Sequence, residues 1–73
     1  MTFGERVKMA RQQSGMTRED FADKLQISVA AVISYETNAR NPKFEILEKI
    51  TTLLGCSYDY LFGYDEYSNS FNN

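Results

Sequence analysis

The stretch Thr17-Arg-Glu-Asp-Phe-Ala-Asp-Lys-Leu-Gln-Ile-Ser-Val-Ala-Ala-Val-Ile-Ser-Tyr-Glu36 decides the fold. It reads as two short helices joined by a tight turn. Thr17 is a good N-cap, and Asp20 stands three residues on, where a capping-box acid belongs. Phe21, Ala22 and Leu25 recur at i, i+1 and i+4 and give the first helix one apolar face. Gln26 and Ile27 make the turn, with Ile27 directed to the core. Ser28 caps a second helix that runs to about Glu36. Two helices this short are marginal alone, so the rest of the chain has to cover their apolar faces.

At about 100° per residue, Ser28, Val32, Tyr35 and Glu36 fall on one side of the second helix. Val32 and Tyr35 are its best core candidates, which makes this the expected buried side. Ala30, Ile33 and Ser34 then point outward, with Val29 and Ala31 on the flanks. The outward face therefore has almost no polar reach.

Working outward, Thr2 and Glu5 form a second capping box that starts a first helix running to about Ser14. Phe3, Val7 and Ala10 make its apolar stripe, and Gly15 can take the left-handed conformation that ends it. After Glu36 comes the turn-rich Thr37-Asn-Ala-Arg-Asn-Pro42, in which Asn38 is suited to a positive φ. Pro42 fits the first position of a fourth helix, with Asn41 as its cap. Ile46, Leu47, Ile50, Leu53 and Leu54 then recur at helical spacing as core, and Gly55 closes the helix. Ser57 caps a short fifth helix that packs back through Tyr58, Leu61 and Phe62 and ends at Gly63. The expectation is an all-α domain of five short helices over residues 1–63. Residues 64–73 are polar, acidic and without periodicity, and read as a disordered tail in which Tyr64, Tyr67 and Phe71 are the only sizeable anchors.

Seventy-three residues with a net charge of −2 make one small domain and argue against a protein held on nucleic acid by charge alone. The charge is uneven: residues 1–56 carry eight cations against seven anions, whereas residues 57–73 carry only Asp59, Asp65 and Glu66. Cys56 is the sole cysteine, which excludes an internal disulfide and suits a reducing cytoplasm. Histidine is absent, so zinc-finger and His-based catalytic readings fall away. No apolar run approaches the roughly 18 residues of a membrane span, and no signal peptide is evident. No nucleophile–base pair, metal constellation or phosphate loop can be assembled, so neither an enzyme nor a cofactor or metal site is expected.

The ordered set Met16-Thr17, Ala22, Leu25-Gln-Ile-Ser28, Val32 and Tyr35-Glu36 resembles the helix-turn-helix of the Cro/CI-type (XRE) family of phage and bacterial regulators. Phe3-Gly-Glu-Arg-Val-Lys-Met-Ala-Arg11 with Gly15 resembles the family's first helix. Arg40-Asn-Pro42, Leu47, Ile50, Leu53-Leu-Gly55 and Ser57-Tyr-Asp-Tyr-Leu-Phe62 resemble its last two helices. The resemblance covers roughly residues 3–63 and implies the lambda-repressor-like fold. It also implies that Arg11 pairs with Glu36 to hold the first helix against the end of the third, and that Cys56 fills a small apolar position as a core thiol.

In that family the third helix enters the major groove, where long polar side chains read base edges. The positions that match here are Val29, Ala30, Ile33 and Ser34, with Ala31 at the edge. Only Ser34 can hydrogen-bond. Thr17, Arg18, Arg40, Asn41 and Lys43 match the phosphate-contacting region, Arg18 standing where the family usually has glutamine.

Two readings follow. The first is a Cro-type transcriptional regulator of a lysis–lysogeny switch, binding double-stranded operator DNA as a homodimer in the cytoplasm of a bacterial host. The second is an antirepressor that grips its cognate repressor protein through the apolar face of the third helix. In size and in that face the chain resembles the modulator-of-repression proteins of lactococcal-type phages.

Overall fold

The computed structural model describes residues 1–64. Within them the chain forms five helices and no strand: α1 Phe3–Gln13, α2 Arg18–Leu25, α3 Val29–Glu36, α4 Phe44–Leu54 and α5 Tyr58–Phe62. α1 packs on α3 and α5, while α2 packs on α3 and α4. Both capping boxes form as the sequence predicts, Thr2 with Glu5 and Thr17 with Asp20. Ser28 and Ser57 each accept the backbone N–H three residues on, at 3.0 Å.

Four of the five helices end in one manner. A residue of left-handed conformation follows the last turn, and the next N–H reaches back to a carbonyl five residues earlier. Gly15 (φ +74°) and Gly55 (φ +67°) do this for α1 and α4, where the bonds are Met16 N to Arg11 O and Cys56 N to Thr51 O. Gln26 (φ +59°) and Asn38 (φ +64°) do the same for α2 and α3. Asn38 was expected at positive φ, and Gln26 is a further case at the turn of the two-helix unit.

The core is Val7, Phe21, Ala22, Leu25, Val32, Tyr35, Ile50 and Leu61, so every helix contributes. Phe21 and Leu25 are fully buried, each stabilising the fold by about 1.5–3 kcal/mol relative to exposure. Phe3 is half-buried, with the ring of Phe62 stacked on it at 5.3 Å.

Three expectations change. α4 starts at Phe44 rather than Pro42, and its N-cap is Lys43 rather than Asn41. Lys43 is extended (ψ +162°), and the preceding Asn41-Pro42 runs beside α1 and α5, lining a groove with Phe3, Leu47 and Phe62. That placement delays the first turn. In α5, Leu61 is buried and Phe62, though partly exposed, packs back on Phe3 as expected, but Tyr58 lies on the exposed side. The inward aromatic is Tyr60, whose ring lies 5.2 Å from the guanidinium carbon of the buried Arg6. Ser28, placed by the helical wheel on the buried side, is exposed, since a cap sits outside the helix it begins. The expected tail lies outside the described residues beyond Tyr64, whose own ring stands 5.9 Å from that of Phe62.

Candidate nucleic-acid interface

The two-helix unit is held at both ends. At the turn, Gln26 N donates to Asp23 O and Ile27 N to Ala22 O, which aims the chain straight into the Ser28 cap of α3. At the far end, the Glu36 carboxylate, at the C-terminus of α3, is only 1% exposed and is shared by two guanidinium groups. Arg11 donates from Nε to Oε2 at 2.6 Å and from Nη2 to Oε1 at 3.3 Å. Its Nη1 donates to the Met16 carbonyl at 2.8 Å, tying down the loop that enters α2. Arg18, the first residue of α2, donates from Nε to Glu36 Oε1 at 3.0 Å. The expected Arg11–Glu36 pair is therefore present, and Arg18 joins it. A buried carboxylate needs this many donors, because an unpaired one would be costly in the low-dielectric interior.

Of the five residues expected to face a partner on α3, Ala30 and Ile33 are exposed, Ile33 at 39%. Val29 and Ala31 are half-buried and pack against the core, so they stand at the margin of the face rather than on it. Ser34 is half-buried and its carbonyl accepts the N–H groups of Ala39 and Arg40. The accessible centre of the face is thus a methyl and a branched aliphatic side chain.

Around it stand the polar residues. Thr17 is exposed and its hydroxyl accepts the Asp20 N–H at 3.0 Å. Arg18 keeps about a third of its side chain exposed. Arg40, Asn41 and Lys43 are exposed in the α3–α4 connection, and among the described residues their side chains make no hydrogen bond or ion pair. The N-termini of the other helices are closed by a hydroxyl, whereas the Lys43 cap of α4 makes no side-chain bond. The exposed Lys43 thus stands at a helix N-terminus that no side chain caps, where the helix dipole favours an anion.

Two contacts that build this surface were not read from the sequence, those of Gly4 and of the Asn38 side chain. Gly4 lies against the end of α3, where a Cβ would collide with the backbone oxygens of Tyr35 and Glu36. Its only signal was a lone glycine inside a helical pattern. Asn38 does more than turn the chain: its Oδ1 accepts the Gly4 N–H at 3.0 Å and its Nδ2 donates to Thr2 Oγ1 at 2.8 Å. A bond across 34 residues has no signature in local spacing.

Two short capped helices joined by a tight turn and packed on each other, one of them presenting an outer face, define a helix-turn-helix. Residues 7–61 match the family described as helix-turn-helix, and the chain belongs to it as a member of the Cro/CI-type (XRE) branch. The chain is 41% identical over 68 residues to the HTH-type transcriptional regulator ImmR of Bacillus subtilis (strain 168), covering 93% of this chain and 54% of that protein. It is 36% identical over 59 residues to YonR of the same strain, named as an SPbeta prophage-derived uncharacterized HTH-type transcriptional regulator, covering 81% of this chain and 55% of that one. The chain spans about half the length of the curated relatives it matches. Among the described residues, no helix is long and apolar enough to cross a membrane.

Proposed function

We propose that the chain is a DNA-binding transcriptional regulator of the Cro/CI type, acting in a phage or prophage lysis–lysogeny switch inside a bacterial cell. The observation that supports this best is the combination of an exposed α3 face with cations on both sides of it, Arg18 before and Arg40 and Lys43 after. In this reading α3 lies in the major groove of operator DNA. Ala30 and Ile33 meet thymine methyl groups, Ser34 supplies the one hydroxyl, and Thr17, Arg18, Arg40, Asn41 and Lys43 contact phosphates. With about three cations engaged, the logarithm of affinity falls with that of salt at a slope near −3. A helix-turn-helix protein that reads a two-fold operator does so as a dimer, one recognition helix per half-site.

A second reading draws on the same face. Ile33 at 39% exposure beside Ala30 is better suited to a hydrophobic contact than to hydrogen-bonded base readout, and an antirepressor would use it to cover a repressor's own DNA-reading surface. One titration separates the two. Gel shifts at physiological salt use the DNA flanking this protein's own gene, with and without the product of a neighbouring repressor gene. A specific shift by the protein alone supports the operator binder. No shift alone, with loss of the repressor's shift on addition, supports the antirepressor and overturns the first reading.

A further inference from the structure

The buried carboxylate of Glu36 has more to do than hold α1 to α3. Arg11 engages both of its oxygens and balances its charge, and Arg11 is itself buried, with a side chain 7% exposed. Arg18 then adds a second guanidinium to the same carboxylate, so the three side chains together carry one net positive charge, and that charge lies on the exposed member. The contact is through Nε alone. A guanidinium has five N–H donors in a rigid planar fork, so the four on Nη1 and Nη2 are left, and none of them bonds to any described residue.

We propose that Glu36 is a positioning residue for DNA binding: it anchors Arg18 by Nε so that both Nη groups are presented, already oriented, to a backbone phosphate at the start of α2. The inference rests on the DNA-binding reading above and deepens it. An exposed arginine or lysine must give up most of its rotamer freedom to make a phosphate contact, as Arg40 and Lys43 would. Arg18 has given it up on folding, so less is lost on binding. Lysine cannot replace it. A single ammonium that bonds Glu36 is drawn away from the phosphate, and one that bonds the phosphate is no longer anchored.

The test measures binding of a short fluorescent DNA duplex of arbitrary sequence at low salt, where phosphate contacts dominate. It compares the wild-type protein with Arg18→Lys, Arg18→Gln, Glu36→Gln and the double variant Arg18→Lys/Glu36→Gln. Arg18→Lys leaves the Arg11–Glu36 pair intact and keeps the charge. The expected result is an affinity loss of about tenfold for Arg18→Lys, at an unchanged melting temperature and salt slope. Arg18→Gln loses at least as much and flattens the slope by about one. In the Glu36→Gln background the lysine substitution costs distinctly less, because the anchor is already weakened. Wild-type affinity in Arg18→Lys would show that charge alone matters and overturn the proposal, whether or not Glu36→Gln folds. Wild-type affinity in Arg18→Gln would remove Arg18 from the interface and overturn it as well. Failure of the wild-type protein itself to bind the duplex would instead overturn the DNA-binding reading, and the proposal with it.

Discussion

Gly4 of α1 lies directly against the Glu36 carbonyl at the end of α3, and there is no room between the two backbones for a side chain. This approach brings the first helix over the C-terminus of α3. It also sets Arg11, two turns further along α1, opposite the Glu36 carboxylate. One small residue thereby fixes the geometry in which a buried charge pair becomes possible.

Gly4→Ala tests that contact. On an open helix the change would stabilise by up to about 1 kcal/mol. Here the new Cβ would stand 2.5 Å from the Tyr35 carbonyl oxygen, and the obstacle is backbone, which cannot rotate away. The overpacking cost of about 1–3 kcal/mol therefore wins. Thermal melting by circular dichroism should show a drop of several degrees; a higher melting temperature would contradict the packing described.

Glu36→Ala strands Arg11 in the interior with its principal acceptor gone. Removing one partner of a buried pair costs about 3–5 kcal/mol, a large share of the stability of a domain this size. The expected outcome is a melting temperature lower by more than about ten degrees, or no cooperative melt at all. An unchanged melt would show that the pair contributes nothing.

At Asn38 two substitutions separate backbone from side chain. Asn38→Gly accommodates φ +64° but loses the bonds to Gly4 N and Thr2 Oγ1, whereas Asn38→Ala loses the bonds and strains the turn as well. Denaturant titration should place glycine about 1 kcal/mol below wild type and alanine about 1–2 kcal/mol below glycine. Equal losses would mean that the left-handed conformation carries no strain.

Gln26 is the opposite case. It sits at φ +59° with an exposed side chain, and among the described residues that side chain makes no hydrogen bond. Gln26→Gly relieves the conformational strain at no cost in contacts and should raise the melting temperature by a few degrees, an effect of about 0.5–1 kcal/mol. A fall would show that the side chain contributes packing.

Cys56 is half-buried beside the core, and burial pushes its thiol up from the ordinary value. The folded protein holds the thiol proton more tightly than the unfolded chain does. The thiol's contribution to stability is therefore complete below the ordinary thiol pKa and is lost as pH climbs through the raised one. Alkylation with iodoacetamide should be slower than in the denatured protein at neutral pH, with a rate–pH midpoint shifted upward. A midpoint at or below that of the denatured chain would refute the burial.

Much of this molecule is local, and what is local was legible. Hydroxyl caps at Thr2, Thr17, Ser28 and Ser57 start four helices where the sequence places them, because a cap bonds only three residues away. Apolar spacing placed Phe21, Leu25, Val32, Tyr35 and Ile50 in the core for the same reason. The start of α4 was misplaced because Pro42 is compatible with a first helical turn, yet its position in the groove beside Phe3 and Phe62 depends on α1 and α5. In α5, spacing alone pointed to Tyr58 rather than Tyr60, and the contact of Tyr60 with the buried Arg6 comes from the tertiary structure.

At the candidate interface the same division holds. Helical geometry by itself was enough to turn Ala30 and Ile33 outward, and the family resemblance paired Arg11 with Glu36. Only the tertiary structure recruited Arg18 to that carboxylate, bonded Asn38 to the start of α1 and pressed Gly4 against α3. Those contacts join residues 18 to 36 positions apart, at distances the whole chain must close together. Periodicity and capping report on neighbours within a turn or two, so no reading of them contains the second partner of a long-range contact.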